Sequence, residues 1–282
     1  MDKSFWKELW NLMICAFMGI AIVMVAATVL ALFGLNPVST EYAHTLQWMQ
    51  TFLVMLLPAL LWYRWRFGKS PFTAFRFAWC GWKPLVLTVV LMVCSIPALD
   101  FLTVLNATMP MPQVLRDMAD EMRREETVSL ARMLAVGGIG GWIELVLLMS
   151  VGTAVAEETM FRGALVECFG LTKLNRHWVA VLAGFIFSFI HFDPLGFAPR
   201  WMLGTLFCYL VFWTGSIWPS ILAHATNNLV ALIQYKTADD PGLLYTTEPS
   251  FSWYIGLLSA LVSALIIYIM CTQCLLHRTK GL

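Results

Sequence analysis

The chain has 282 residues, 60% of them hydrophobic and 12% charged, with a mean hydropathy of +0.74. A water-soluble domain carries about a quarter charged residues, so a soluble globule is excluded, as are a disordered chain and a collagen. Lys and Arg number 18 against 17 Asp and Glu; no net field points to nucleic acid as a partner. The fold class that remains is all-α, a polytopic bundle of about eight transmembrane helices.

A membrane-spanning helix needs about 20 mostly apolar residues. In chain order, candidates fall at roughly 11–34, 45–63, 84–105, 136–160, 178–192, 200–214, 217–234 and 251–274. The fifth and sixth are short, which allows one of them to tilt, break or stop inside the membrane. The first is too long, and too poor in small residues at a cleavage point, for a removable signal peptide. Between the third and fourth lies the longest hydrophilic stretch, 106–135, where Val114, Leu115, Met118 and Met122 recur at helical spacing among charges of alternating sign. That pattern predicts an amphipathic helix on the membrane surface, serving as a solvated connection or as a gate.

Basic residues in the flanks set direction. With both termini cytoplasmic, the inner segments hold twelve Lys and Arg, Arg162 among them, and the outer ones six. Of the 13 tryptophans, Trp6, Trp10, Trp62, Trp65, Trp79, Trp82, Trp201, Trp213 and Trp253 fall near span ends and read as an interfacial belt. The seven cysteines are scattered and mostly lie inside spans. Cys271-Thr-Gln-Cys274 with His277 is half of a metal site without its second pair, and acylated or buried thiols explain it as well.

Ionisable groups inside lipid are expensive and are usually paired or functional. Here they are Glu144, Glu157, Glu158 and Arg162 in or near the fourth span, His191 at the end of the fifth and His224 on the seventh, with Asn227 and Asn228 beside it. Glu158 and Arg162 are four apart and share a face, so they can pair. Glu157 is rotated about 100° away and is left without a partner on its own helix, as a general base requires. Both acids pairing with Arg162 and a loop lysine is the competing reading. His191 follows Phe187 by four residues, and Asp193-Pro194 then ends the helix. His224 and Asn228 also lie one turn apart on one face, where they could hold a metal, stabilise an oxyanion or bond between helices. Depth is a tension: Glu157 is expected near the cytoplasmic end of its helix, and His191 about 20 Å down from that side.

Glu157-Glu158-x-x-x-Arg162, Phe187-x-x-x-His191 and His224-x-x-x-Asn228 resemble the three motifs of the type II CAAX prenyl endopeptidase family, also called the CAAX protease and bacteriocin-processing (CPBP, Abi) family of intramembrane proteases. The likeness covers about 140–234, including Thr214–His224 before the third motif. It divides the chain into three N-terminal spans with the amphipathic segment (1–135), a catalytic core (136–234), and a loop with the last span (235–282). The resemblance implies peptide-bond hydrolysis in which Glu157 activates water, His191 helps to hold it, His224 and Asn228 form the oxyanion site, and Glu158 and Arg162 brace the helix. No cofactor is favoured; zinc held by Glu157, His191 and His224 is the alternative.

Other membrane proteases fit poorly. There is no Gly-x-Ser-x-Gly, no paired membrane aspartate and no His-Glu-x-x-His, and neither Ser188 nor Ser220 has a visible base. A proton-coupled transporter and a non-catalytic immunity or scaffold member of the same fold are the rival functions. The expected partners are the lipid bilayer and a peptide or membrane-protein substrate, prenylated ones being implied by the family name. Short loops without extensions point to a bacterial inner membrane rather than an endoplasmic reticulum.

Overall fold

The computed structural model describes residues 3–36, 39–68, 76–135, 137–237 and 249–279, and among these the regular structure is helical throughout. In chain order the helices are α1 (Lys3–Leu32), α2 (Tyr42–Phe67), α3 (Trp82–Cys94), α4 (Ile96–Thr108), α5 (Gln113–Leu134), α6 (Gly138–Phe169), α7 (Arg176–Phe189), α8 (Phe197–Thr214), α9 (Trp218–Thr237) and α10 (Trp253–Thr279). Every expected span overlaps one or two of these helices, with ends that differ by up to nine residues. Five of the described helices are long and apolar enough to cross a membrane, and a sixth span forms if the bent pair α3–α4 counts as one. Helix α7, with only 14 residues, and α9, which carries His224, Asn227 and Asn228, are not among those counted.

The α3–α4 bend of 49° has a cause in the sequence. Pro97 at the start of α4 supplies no backbone N–H, and its ring crowds the preceding turn. Ser259 of α10 repairs the gap: its hydroxyl donates to the Cys94 carbonyl at 2.5 Å and accepts the Ala98 N–H at 3.1 Å.

Two apolar cores meet at α8. On one side α1, α2, α6 and α7 bury Phe5, Trp62, Phe161, Leu165 and Phe187 against Cys208. On the other, Leu91 of α3 and Met270 of α10 pack on Phe207 and Leu210. Trp62 is therefore core, 1% exposed, and not part of the interfacial belt; Trp6, Trp65, Trp79, Trp82 and Trp253 are exposed as a belt requires. The amphipathic segment is one helix, α5. It buries Ala119 against Ala107 and Leu195 and leaves Val114, Leu115 and Met118 exposed on its apolar side. Cys271 is half-buried; the side chains of Cys274 and His277 lie outside the described ones.

Helices α7 and α8 touch backbone to backbone. A Cβ on Gly184 would come 2.6 Å from the Thr205 nitrogen and 2.9 Å from the Trp201 oxygen, and one on Gly204 would come 2.9 Å from the Gly184 Cα. No real side chain tolerates such distances, so Gly184→Val must force the helices apart. Overpacking of this kind costs about 1–3 kcal/mol. The expected outcome is a lower thermal midpoint in detergent than for wild type, with Ala at the same position intermediate.

Candidate active site

The six residues singled out by their motifs come from α6, the turn after α7, and α9. Helix α6 runs on to Phe169, well beyond the expected end at 160. Glu157 and Glu158 thus lie past its midpoint rather than at its end, about 18 Å from Phe169 at 1.5 Å per residue. That distance nearly matches the roughly 21 Å length of the 14-residue α7, beyond whose end His191 sits, so the depth tension disappears. Arg162 is likewise inside the helix with a fully buried side chain, and does not belong among the flanking cytoplasmic charges.

The carboxylates are bracketed by two π-helical stretches, Val146–Gly152 and Thr159–Leu165, with a short α-helical piece, Thr153–Glu158, between them. Wide turns of this kind are frequent at functional sites, because each shifts the side-chain register by one residue.

The two glutamates have unlike surroundings. Glu158 has a fully buried side chain and three hydrogen-bond partners. Its Oε1 accepts from Arg162 Nη1 at 2.8 Å and from His224 Nδ1 at 2.8 Å, and its Oε2 accepts from the Ser220 hydroxyl. A carboxylate therefore does stand beside Ser220, contrary to expectation, paired at its other oxygen with the Arg162 cation. Arg162 continues the network by donating from Nη2 to the Gly204 carbonyl at 2.9 Å. The guanidinium lies 4.6 Å from the Phe187 ring centroid and 5.2 Å from that of Phe207, within cation–π range.

Glu157 lies at the edge of this network, its side chain 16% exposed. The contact that joins it to α9 is His224, whose Nε2 is 3.7 Å from Glu157 Oε2. The imidazole is fixed by its Nδ1–H bond to Glu158, by stacking on Phe207 at 5.5 Å, and by the edge of Phe187 at 5.7 Å. One histidine thus bridges the two acids.

His191 donates from Nδ1 to the Phe187 carbonyl at 2.7 Å. The chain then reverses at Phe192, whose φ of +52° is rare for a bulky residue. Asn228 turns toward α6, donating one amide hydrogen to the Met149 carbonyl at 3.2 Å, one turn along α9 from His224. Glu144 is outside the group: it binds His44 Nδ1 at 2.9 Å, while His44 Nε2 lies 3.1 Å from the Met133 carbonyl. Among the described residues no three His, Cys, Asp or Glu side chains converge to hold a metal ion. In the trio Glu157, His191 and His224 each histidine commits Nδ1 to a neighbour and keeps Nε2 for a ligand, which is how a metal-ligating histidine is also held.

Three supporting residues were not apparent from the motifs. Asn106 of α4 is buried and fully used: its amide donates to the Pro194 and Leu195 carbonyls at 2.8 and 2.7 Å, and its oxygen accepts the Ala198 N–H at 3.0 Å. It clamps the turn that follows His191. Asp193 and Arg200 pair across that turn at 3.1 Å. An amide just past a predicted span end is the signal that could have drawn attention to Asn106.

The motifs and their packing lie inside one matched segment. Residues 139–230 match the family described as type II CAAX prenyl endopeptidase, Rce1-like. That segment is similar to an Rce1-like domain. The match covers about a third of the sequence, from the start of α6 into α9. All six motif residues fall within the matched segment, whereas Asn106 and the amphipathic α5 lie before it. No curated protein and no solved structure matches the chain. The match over this segment together with several long apolar helices makes this an integral membrane protein.

Proposed function

We propose that the protein is an intramembrane endopeptidase in which Glu157 activates water. One observation carries the reading: of two adjacent carboxylates, Glu158 is fully buried and held by Arg162, His224 and Ser220, while Glu157 keeps some exposure and has the His224 Nε2 at 3.7 Å. Of the two, Glu157 is the carboxylate that water can reach. In the proposed cycle Glu157 takes a proton from water, and the hydroxide attacks the peptide carbonyl carbon to give a tetrahedral oxyanion. Collapse breaks the C–N bond as Glu157 returns the proton to the departing nitrogen, leaving a carboxylic acid and an amine. His191 helps to hold the water, and His224 with the second amide hydrogen of Asn228 faces the carbonyl oxygen. Glu158 and Arg162 act by position, setting the His224 ring.

The reading is metal-free and takes a peptide or membrane-protein substrate, prenylated ones included, in a bacterial inner membrane with both termini cytoplasmic. Its test compares purified wild type with Glu157→Gln on a whole-membrane proteome, with new peptide termini identified by mass spectrometry. New termini made by wild type and not by the variant support a protease and reveal its substrates. Identical termini in both samples overturn the proposal and favour a scaffold or transport role. A second expected outcome concerns metal: dialysis against a chelator leaves the cleavage rate within about twofold of the untreated enzyme. A zinc-dependent loss that added zinc restores would refute the metal-free mechanism.

A further inference from the structure

Asp193, just after His191, holds two arginines from different elements. Arg200 of α8 donates from Nη2 to Asp193 Oδ2 at 3.1 Å, and Arg123 of α5 brings Nη2 to 3.7 Å from Oδ1. The side chains of Asp193, Arg200 and Arg123 are 18%, 26% and 11% exposed. Together they carry one more positive than negative charge. A Cβ on Gly196 would run into Asp193 Oδ2 and stand 3.0 Å from Arg200 Nη2, so the pair is seated on bare backbone, in the turn that Asn106 clamps. Arg200 lies within electrostatic range of both His191 and Glu157. Its Nη1 is buried and makes no hydrogen bond among the described residues. A buried guanidinium nitrogen without an acceptor is costly, and an anionic oxygen is the ligand that would relieve it.

The expected oxyanion site is short of donors. His224 commits Nδ1–H to Glu158, so its Nε2 donates only in the imidazolium form. Asn228 has already given one amide hydrogen to Met149. Arg162, the other nearby cation, is turned to Glu158 and Gly204.

We propose that Arg200 is a further catalytic residue, its Nη1–H donating to the scissile carbonyl oxygen as that oxygen becomes an oxyanion. This rests on the protease reading above. The bond formed to the carbon places a full negative charge on the oxygen, and a guanidinium already seated in a low-dielectric site stabilises it without reorganising. Asp193 positions the fork, and Arg123 ties α5 to the same carboxylate.

The test uses the full chain in detergent and a peptide spanning one of the Glu157-dependent cleavage points. Arg200→Ala is expected to lower kcat by about 10²-fold, the usual effect of losing one oxyanion donor, with KM changed less than about threefold. Added guanidinium ion should restore part of the rate, which a purely structural defect would not allow. Arg200→Lys keeps the charge without the fork, and is expected to retain about a tenth of the wild-type kcat; it serves if the alanine variant fails to fold. An unchanged kcat in either variant, a rise confined to KM, or a loss that guanidinium does not restore overturns the assignment. Wild type that gives no Glu157-dependent cleavage removes the protease reading itself, whereas an active wild type with a fully active Arg200→Ala removes only the role of Arg200.

Discussion

Replacing Glu157 with Gln should lower kcat by about 10²–10⁴-fold, the range associated with loss of a positioned general base, while leaving the fold intact. The amide has the shape of the carboxylate but cannot take a proton. Glu157 sits outside the Glu158–Arg162–Ser220 network, with the His224 Nε2 at 3.7 Å, so no buried bond is orphaned by the change. Thermal midpoint and KM are expected to stay near wild type. A variant that loses activity only because it melts early would speak against Glu157 as the base.

The neighbouring substitution should behave in the opposite way. Glu158→Gln leaves Arg162 as a buried cation with no counter-charge and weakens the hold on His224 Nδ1. Breaking a buried ion pair by removing one partner costs about 3–5 kcal/mol, so a large fall in thermal midpoint is expected. Removing both charges, as Glu158→Gln with Arg162→Met, should recover much of that stability, because no uncompensated charge is then left. Chemical or thermal unfolding of the four proteins measures the coupling. Additive losses in the double variant would mean that the pair is not the unit described here.

Local periodicity made part of this arrangement legible. Glu158 and Arg162 pair because a helix places residues four apart on one face, and the bond is present at 2.8 Å. The same rule put Phe187 with His191, and the two rings lie 5.0 Å apart. What the chain pattern did not reveal are contacts between distant segments. His44 and Glu144 are 100 residues apart, and neither has a helical neighbour that announces the other. The end of α6 was misplaced because Arg162 looks like a flanking charge until its partners are visible. Trp62 was assigned to the interface by its position near a span end, although that face of α2 meets α1 and α6 instead. The Asn106 clamp and the Asp193–Arg200 pair fell in stretches read as connections, where periodicity carries no information.

The Glu158–Arg162 pair also bears on how the chain enters the bilayer. A lone Arg or acidic residue at the centre of an inserting helix costs about 2.5–3.5 kcal/mol. Because both members of this pair are on α6, that helix brings its own neutralising partner and can leave the translocon before α9 has been synthesised. Glu157 has no such companion within its helix; its bridge to the neighbouring acid comes from His224, more than sixty residues later in the chain. During biogenesis the two charges that stabilise α6 are therefore matched first. The reactive centre assembles only when α9 docks, so an incomplete nascent chain carries the glutamates but not the histidine that joins them.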